Sequence, residues 1–219
     1  MMSYCRFGHS LIRANLTLMS EEGQEGDREQ LPLRRVFNDP TMIKSGKMLD
    51  SLVRGVVMSS MESMDRRLTE EVANHLFEEK GRPHSGLDLG AVNIQRGREH
   101  GLPGYNKYRQ LCGLSRAQTF SDMQEINPVW AGNLGKVYRH PDDVDLFVGM
   151  LLERRVEGGI VGPTLACLLA TPQLQDPVFT VAWVVMIMDV VVVIDVVCPP
   201  VVLVNADPNV HEDEAEENS

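Results

Sequence analysis

The sequence predicts a mainly α-helical body over residues 1–172 and an unrelated, irregular valine-rich segment over residues 173–219. In the body, apolar residues recur mostly at helical spacing. The alternation of Val, Ile and Thr that is typical of strands is not evident before residue 172. Residues 178–204, in contrast, contain 13 valines. These three observations divide the chain into two regions.

The composition is that of a globular protein with an uneven charge distribution. The chain has 219 residues, of which 43% are hydrophobic and 24% are charged, and its net charge is −10. Residues 173–219 contain nine acids and no Lys or Arg, so the first 172 residues hold 22 acids and 21 bases. A body without a basic excess argues against nucleic acid as a partner.

Several helices are predicted along the body. Residues 6–19 have roughly helical apolar spacing, and residues 20–30 are expected to form a polar loop. Thr69 is expected to cap a helix that carries Leu76 and Phe77 on its apolar face. The remaining helices are predicted over residues 47–58, 105–114, 115–125, 141–152 and 162–170.

The valine-rich run is long enough to cross a membrane, but its composition argues against a membrane span. Asp189 and Asp195 lie within it, and each would cost about 2.5 to 3.5 kcal/mol at the centre of a spanning helix. The composition therefore disfavours a membrane anchor, and strand formation or aggregation is the alternative. The acidic residues 211–219 are expected to be disordered.

The cysteines and the N-terminus leave the cellular compartment open. Cys5, Cys112, Cys167 and Cys198 form no CxxC motif, which weakens a zinc or thioredoxin-like interpretation, and four cysteines allow three disulfide connectivities. The first residues lack the apolar core of a signal peptide, so we expect no signal peptide in this chain.

Residues 87–105 are unusually dense in polar groups beside apolar ones. Asn93, Arg96 and His100 recur at intervals of three and four, which would place them on one side of a helix. One interpretation is a solvated helix face. The other is a wall of a buried anionic ligand, in which Asn93 accepts the N–H of a metal-ligating imidazole.

His9 is the candidate for that imidazole. A lone histidine is most often an ordinary core or surface residue. The alternative is a metal or haem ligand, with Arg6 one turn earlier to pair with a carboxylate or propionate beside the iron. Spacing alone does not decide between them.

Two stretches of the sequence resemble the proximal-side motifs of the animal haem peroxidases. The first is Arg6-Phe7-Gly8-His9-Ser10-Leu11-Ile12, and the second is Leu87-Asp88-Leu89 followed by Asn93-Ile94-Gln95-Arg96-Gly97-Arg98-Glu99-His100-Gly101. The likeness continues through Asp145-Leu146-Phe147 and residues 162–169, and it covers about residues 4 to 172 in family order. It implies a haem-peroxidase-like helical fold.

The resemblance implies a role for each matching residue. His9 matches the proximal ligand of a b-type haem iron, and Asn93 matches the residue that hydrogen-bonds that histidine. Arg6 and Arg96 match arginines near the haem propionates. Cys112 and Cys167 match a disulfide pair, which implies a secreted, extracellular setting.

The resemblance also implies what this chain lacks. No residue matches the family's distal histidine, distal arginine or calcium loop, and Glu99 stands where the family usually has Asp. We therefore expect an incomplete fold without its distal half or its calcium site, and a chain that is inactive alone. The full-length protein is expected to use hydrogen peroxide to oxidise a small reducing substrate, with a role in peroxide removal and the response to oxidative stress. The alternative is a truncated, non-catalytic product that acts as a binding or interaction module.

Overall fold

The computed structural model describes residues 4–21, 28–37, 39, 41, 44 and 46–170. Within these residues the protein is mainly helical, as predicted. The α-helices are α1 (Met48–Val57), α2 (Glu70–Ala73), α3 (Leu89–Glu99), α4 (Tyr105–Leu111), α5 (Pro128–Val137), α6 (Leu146–Leu152) and α7 (Pro163–Ala170). Short 3-10 helices lie at Tyr4–Leu11, Leu33–Arg35, Phe120–Asp122 and Pro141–Asp143.

The body also contains a small two-stranded sheet, which the sequence pattern did not predict. β1 (Asn15–Met19) pairs antiparallel with β2 (Arg28–Pro32), with Thr17 opposite Gln30. The helix predicted over residues 6–19 is therefore a 3-10 helix followed by a strand, and the loop predicted over residues 20–30 overlaps the start of β2. Residues Leu16 to Met19 are all buried, so the polar alternation that would have indicated a strand is missing.

Helix α1 covers one face of this small sheet. A Cβ atom on Gly55 would lie 1.6 Å from the carbonyl oxygen of Thr17, so the helix approaches the strand as closely as glycine permits. Leu52 is buried in the same cluster as Leu16 and Leu18. This contact covers the strand on a second face and explains why residues Leu16 to Met19 are all buried.

Three other predicted helices differ from the structure. Residues 115–125 contain only the 3-10 turn Phe120–Asp122. The helix predicted over residues 141–152 is interrupted, and Asp145 occupies the N-cap position of α6. The Thr69 helix ends at Ala73, and the Thr69 side chain makes no capping hydrogen bond. Helix α5 was missed, although Asn127 caps it and Pro128 occupies its first turn.

The described residues form two hydrophobic clusters. The first 3-10 helix contributes Phe7 and Leu11 to the larger cluster and leads into Ile12 of the smaller one. Helix α3 likewise places Leu89 in the smaller cluster, while Ile94 packs against the larger. Both segments that carry the predicted site residues therefore bridge the two clusters.

The valine-rich segment, the tail, Cys198 and the division of the chain at residue 172 lie outside the described residues or remain untested, and the predictions about them stay predictions. Within the part of the chain that the structure describes, none of the helices has the length and apolarity that crossing a membrane requires.

Candidate functional site

His9 lies in the first 3-10 helix, which is fixed on several sides. The Ser10 hydroxyl donates to the carbonyl oxygen of Phe7 at 2.9 Å and lies 3.2 Å from the sulfur of Met64. The backbone N–H of Glu62 donates to the carbonyl oxygen of Leu11 at 3.1 Å. Phe7 is fully buried while His9 is half-buried, so the backbone is held in the core and the imidazole lies at the edge of it.

Asn93 lies in the middle of α3 and is 2% exposed. The Asp88 carboxylate caps the helix by accepting from the backbone N–H groups of Gly90 at 2.8 Å and Ala91 at 3.2 Å. The chain leaves the helix through Gly101, whose φ of +63° lies in the left-handed region. Two strong end signals therefore fix the helix that presents Asn93.

The structure brings His9 and Asn93 together. The Asn93 Nδ2 lies 2.8 Å from the His9 Nδ1, although the two residues are 84 positions apart in the chain. In this orientation the amide donates to Nδ1, so the imidazole proton resides on Nε2. Rotating the amide by half a turn would place Oδ1 at the same point as an acceptor for Nδ1–H.

Arg6 and Arg96 add positive charge beside this pair. Arg6 is 4% exposed, and Arg96 is exposed to solvent. The pKa of His9 is lowered from 6.5 to about 4, mainly by burial and then by repulsion from Arg6 and Arg96, whereas the hydrogen bond to Asn93 opposes the shift. The imidazole is therefore neutral at physiological pH, which is the form that binds metals.

The structure does not bring the other described histidines into this site. His100 is the C-cap residue of α3 and is exposed. His75 is hydrogen-bonded to Glu78 at 2.6 Å, and the exposed His140 caps a 3-10 turn. Among the described residues, no group of three or more His, Cys, Asp or Glu side chains is arranged to hold a metal ion.

A disulfide joins Cys112 and Cys167, whose Cα atoms are 5.8 Å apart. It links the C-terminal end of α4 to α7 and closes a loop of 55 residues. Four cysteines allow three disulfide connectivities. The structure contains the Cys112–Cys167 pair, which is the pair that the resemblance implied.

A polar network that the sequence did not predict lies beside Asn93. A cleft of about 400 Å³ is lined by Asn93 and by Arg98, Tyr138 and Asp145. Arg98 binds both carboxylate oxygens of Asp145, at 2.9 and 2.7 Å. Both residues stood in the motifs of the resemblance, but nothing in the sequence indicated that they pair.

The chain belongs to the animal haem peroxidase family, whose model matches residues 1–175. It is 41% identical over 169 residues to peroxidasin of Drosophila melanogaster, covering 75% of this chain and 11% of the relative. It is 39% identical over 170 residues to human lactoperoxidase, covering 75% of this chain and 24% of that protein. The chain thus spans less than a quarter of the length of these relatives.

Solved structures agree with the family assignment. Peroxidase A from Dictyostelium discoideum superposes with a TM-score of 0.63 at 35% identity, covering 75% of this chain and 31% of that one. A fatty acid alpha-dioxygenase from Arabidopsis thaliana gives a TM-score of 0.58 at 17% identity, covering 88% and 34%, which shows a shared fold alone. The predicted helical, haem-peroxidase-like fold is confirmed.

Proposed function

We propose that this chain forms the proximal wall of a haem pocket, with His9 as the axial ligand of a b-type haem iron. Asn93 would hold the ligand, and Arg6 and Arg96 would lie near the anionic propionates. The observation that carries the proposal is the 2.8 Å contact between His9 and Asn93 across 84 residues. Two polar side chains from distant segments meet at the edge of the core, and the resemblance matches them to the family's ligand and its hydrogen-bond partner.

The chemistry of these residues fits a haem. The porphyrin already supplies four ligands to a haem iron, so a single neutral imidazole suffices on the proximal side where a bare metal ion would need several protein ligands. Within the described residues, His9 is the hydrogen-bond partner of the Asn93 amide. A half-turn of that amide makes Oδ1 the acceptor of Nδ1–H and leaves Nε2 free to bind the iron.

The charge around the pair also fits. Arg6 and Arg96 both act to disfavour a positive charge on His9, which keeps the nitrogen lone pair available. The same two positive charges would attract the carboxylates of a haem. Asn93 would orient the imidazole ring and increase its basicity as a ligand, as hydrogen-bond acceptors of ligating histidines do.

We also propose that the whole protein is a peroxidase. Bound haem would supply the redox chemistry by which hydrogen peroxide oxidises a small reducing substrate, consistent with peroxide removal under oxidative stress. The disulfide supports an oxidising, extracellular setting. Peroxide cleavage needs a base and a cation on the opposite side of the haem. We therefore expect this chain alone to bind haem without appreciable turnover.

Titration of the full chain with haemin, followed by its absorption spectrum, tests the proposal. His9→Gln should abolish the spectrum of histidine-ligated haem. The matched variants His75→Gln and His100→Gln should retain it, because His75 is hydrogen-bonded to Glu78 and His100 is an exposed C-cap residue. A His9→Gly variant should recover the spectrum on addition of free imidazole. An unchanged spectrum in His9→Gln would refute the ligand assignment.

A second candidate function is that of a non-catalytic binding module. Helix α1 presents Leu49, Val53 and Val57 at intervals of four residues on its outer side, each between 48% and 56% exposed. Such an exposed apolar stripe favours association with another surface. Peroxidase activity of the purified chain, measured with a chromogenic substrate, would refute this candidate. Haem binding without peroxidase activity would be compatible with both proposals, because the exposed stripe of α1 and the His9–Asn93 pair are separate features of the chain.

A further inference from the structure

An ion pair fixes the end of α3 that follows Asn93. Arg98 lies in the last turn of the helix, and its Nε and Nη2 donate to Oδ1 and Oδ2 of Asp145 at 2.9 and 2.7 Å. The Tyr138 hydroxyl donates to Oδ2 of the same carboxylate at 2.7 Å. The Asp145 carboxylate therefore accepts three hydrogen bonds. Its side chain is only 13% exposed, so water has limited access to it.

Asp145 lies at the start of a helix that contacts both segments of the site. It is the N-cap residue of α6, and α6 packs against both α3 and the 3-10 helix that carries His9. Leu146 and Phe147, the next two residues, are buried and line the same cleft as Asn93. The ion pair therefore ties the helix of Asn93 to the element that contacts both walls of the site.

We propose that Arg98 and Asp145 are positioning residues that set the rotation of α3 and so hold the Asn93 amide against the His9 imidazole. The bidentate geometry matters for this role. A single hydrogen bond leaves a helix end free to turn about that bond, whereas two parallel bonds to one carboxylate fix the direction of the guanidinium plane. The proposal rests on the proposed function, since it names what keeps the proposed ligand oriented.

The electrostatics agree with this geometry. Burial acts to raise the pKa of Asp145, but the hydrogen bonds from Arg98 and Tyr138 outweigh it and hold that pKa below its ordinary value. The carboxylate is therefore ionised at neutral pH. Neutralising it would remove its charge pairing with Arg98 while leaving a side chain of the same shape.

The variants Asp145→Asn and Arg98→Gln test the proposal, with Arg98→Lys as the conservative substitution. Glu71→Gln is the matched control, because Arg34 and Glu71 also form a multidentate pair of a partly exposed arginine and a buried carboxylate, with side chains 40% and 8% exposed. Two signals are measured on the full chain at pH 7.5. One is the ¹⁵N chemical shift of the His9 ring nitrogens without haem, and the other is the iron–histidine stretching band of the ferrous, haem-loaded chain.

Asp145→Asn and Arg98→Gln should shift both signals in the same direction as Asn93→Ala does. Arg98→Lys should shift them less, because it keeps the positive charge. Glu71→Gln should lower stability but leave both signals at their wild-type values. Wild-type signals in Asp145→Asn and Arg98→Gln would overturn the proposal. If ring shifts respond but the chain binds no haem, the positioning role holds and the proposed function fails. Because Arg98 is 58% exposed, its variants provide the test even if Asp145→Asn does not fold.

Discussion

The stability of the folded chain should depend on pH through His9. The pKa of His9 is lowered from 6.5 to about 4 by burial and by the two nearby arginines. The unfolded chain therefore binds a proton at a pH where the folded chain does not. Stability contributed by the neutral imidazole is fully present above pH 6.5 and is lost as the pH falls toward 4.

The magnitude follows from the gap between these two pKa values. Each pH unit in this window corresponds to about 1.36 kcal/mol, so the total loss due to His9 is about 3 kcal/mol. A loss of that size is a large fraction of the 5–15 kcal/mol typical of folded domains. His9→Gln removes the titrating group but keeps a side chain that can hydrogen-bond to Asn93.

The assay is urea unfolding of the wild type and of His9→Gln at several pH values between 4 and 7.5. The difference in unfolding free energy should change by about 1.4 kcal/mol per pH unit across the window. Carboxylates titrate in both proteins and cancel in the difference. Parallel curves would refute the assignment of a neutral His9 with a lowered pKa, as would an NMR titration of its ring with a midpoint near 6.5.

Three further predictions concern the surroundings of the site. Asn93→Ala should weaken haem binding about 10- to 100-fold in a haemin titration, since the ligand loses its hydrogen-bond partner. Gly149→Ala should destabilise the chain by about 3 kcal/mol in urea unfolding, because the added Cβ would lie 2.1 Å from Cγ of the buried Tyr105 ring. Replacing Cys112 and Cys167 together by serine should cost about 4 kcal/mol of unfolding free energy, as estimated from the 55-residue loop that they close.

Each of these predictions has a clear contrary result. Haem affinity unchanged in Asn93→Ala would mean that the amide does not support the ligand. Gly132→Ala in α5 is the control for Gly149→Ala, because its added Cβ meets nothing within 4 Å; equal effects of the two would contradict the packing argument. A disulfide-free variant as stable as the wild type would show that the cross-link does not restrict the unfolded chain.

Helical periodicity predicted the parts of the fold in which one face is buried and one is exposed. Helix α1 follows this rule, with Leu52 inside and Val53 outside. Strand β1 does not, because α1 covers its second face and removes the polar alternation by which a strand is recognised. Contacts from distant segments determine whether such a strand forms, and the spacing of residues along the chain does not reveal those contacts.

The candidate site shows the same division. Spacing placed Asn93, Arg96 and His100 on one side of a helix, yet Asn93 is buried while the other two are exposed. The contact between His9 and Asn93 was expected from the family resemblance and not from the residues alone. The pairing of Arg98 with Asp145, 47 positions away, was not predicted, since either charge could equally have been a solvated surface group.

The most direct test of the central claim is the iron–histidine stretching band of the ferrous, haem-loaded chain. The measurement compares a chain grown with ¹⁴N histidine to one grown with ¹⁵N histidine. If His9 is the axial ligand, the band shifts on isotopic substitution, disappears in His9→Gly and returns when imidazole is added. A band that persists in His9→Gly without imidazole would show that another residue holds the iron, and the proposed proximal wall would be wrong.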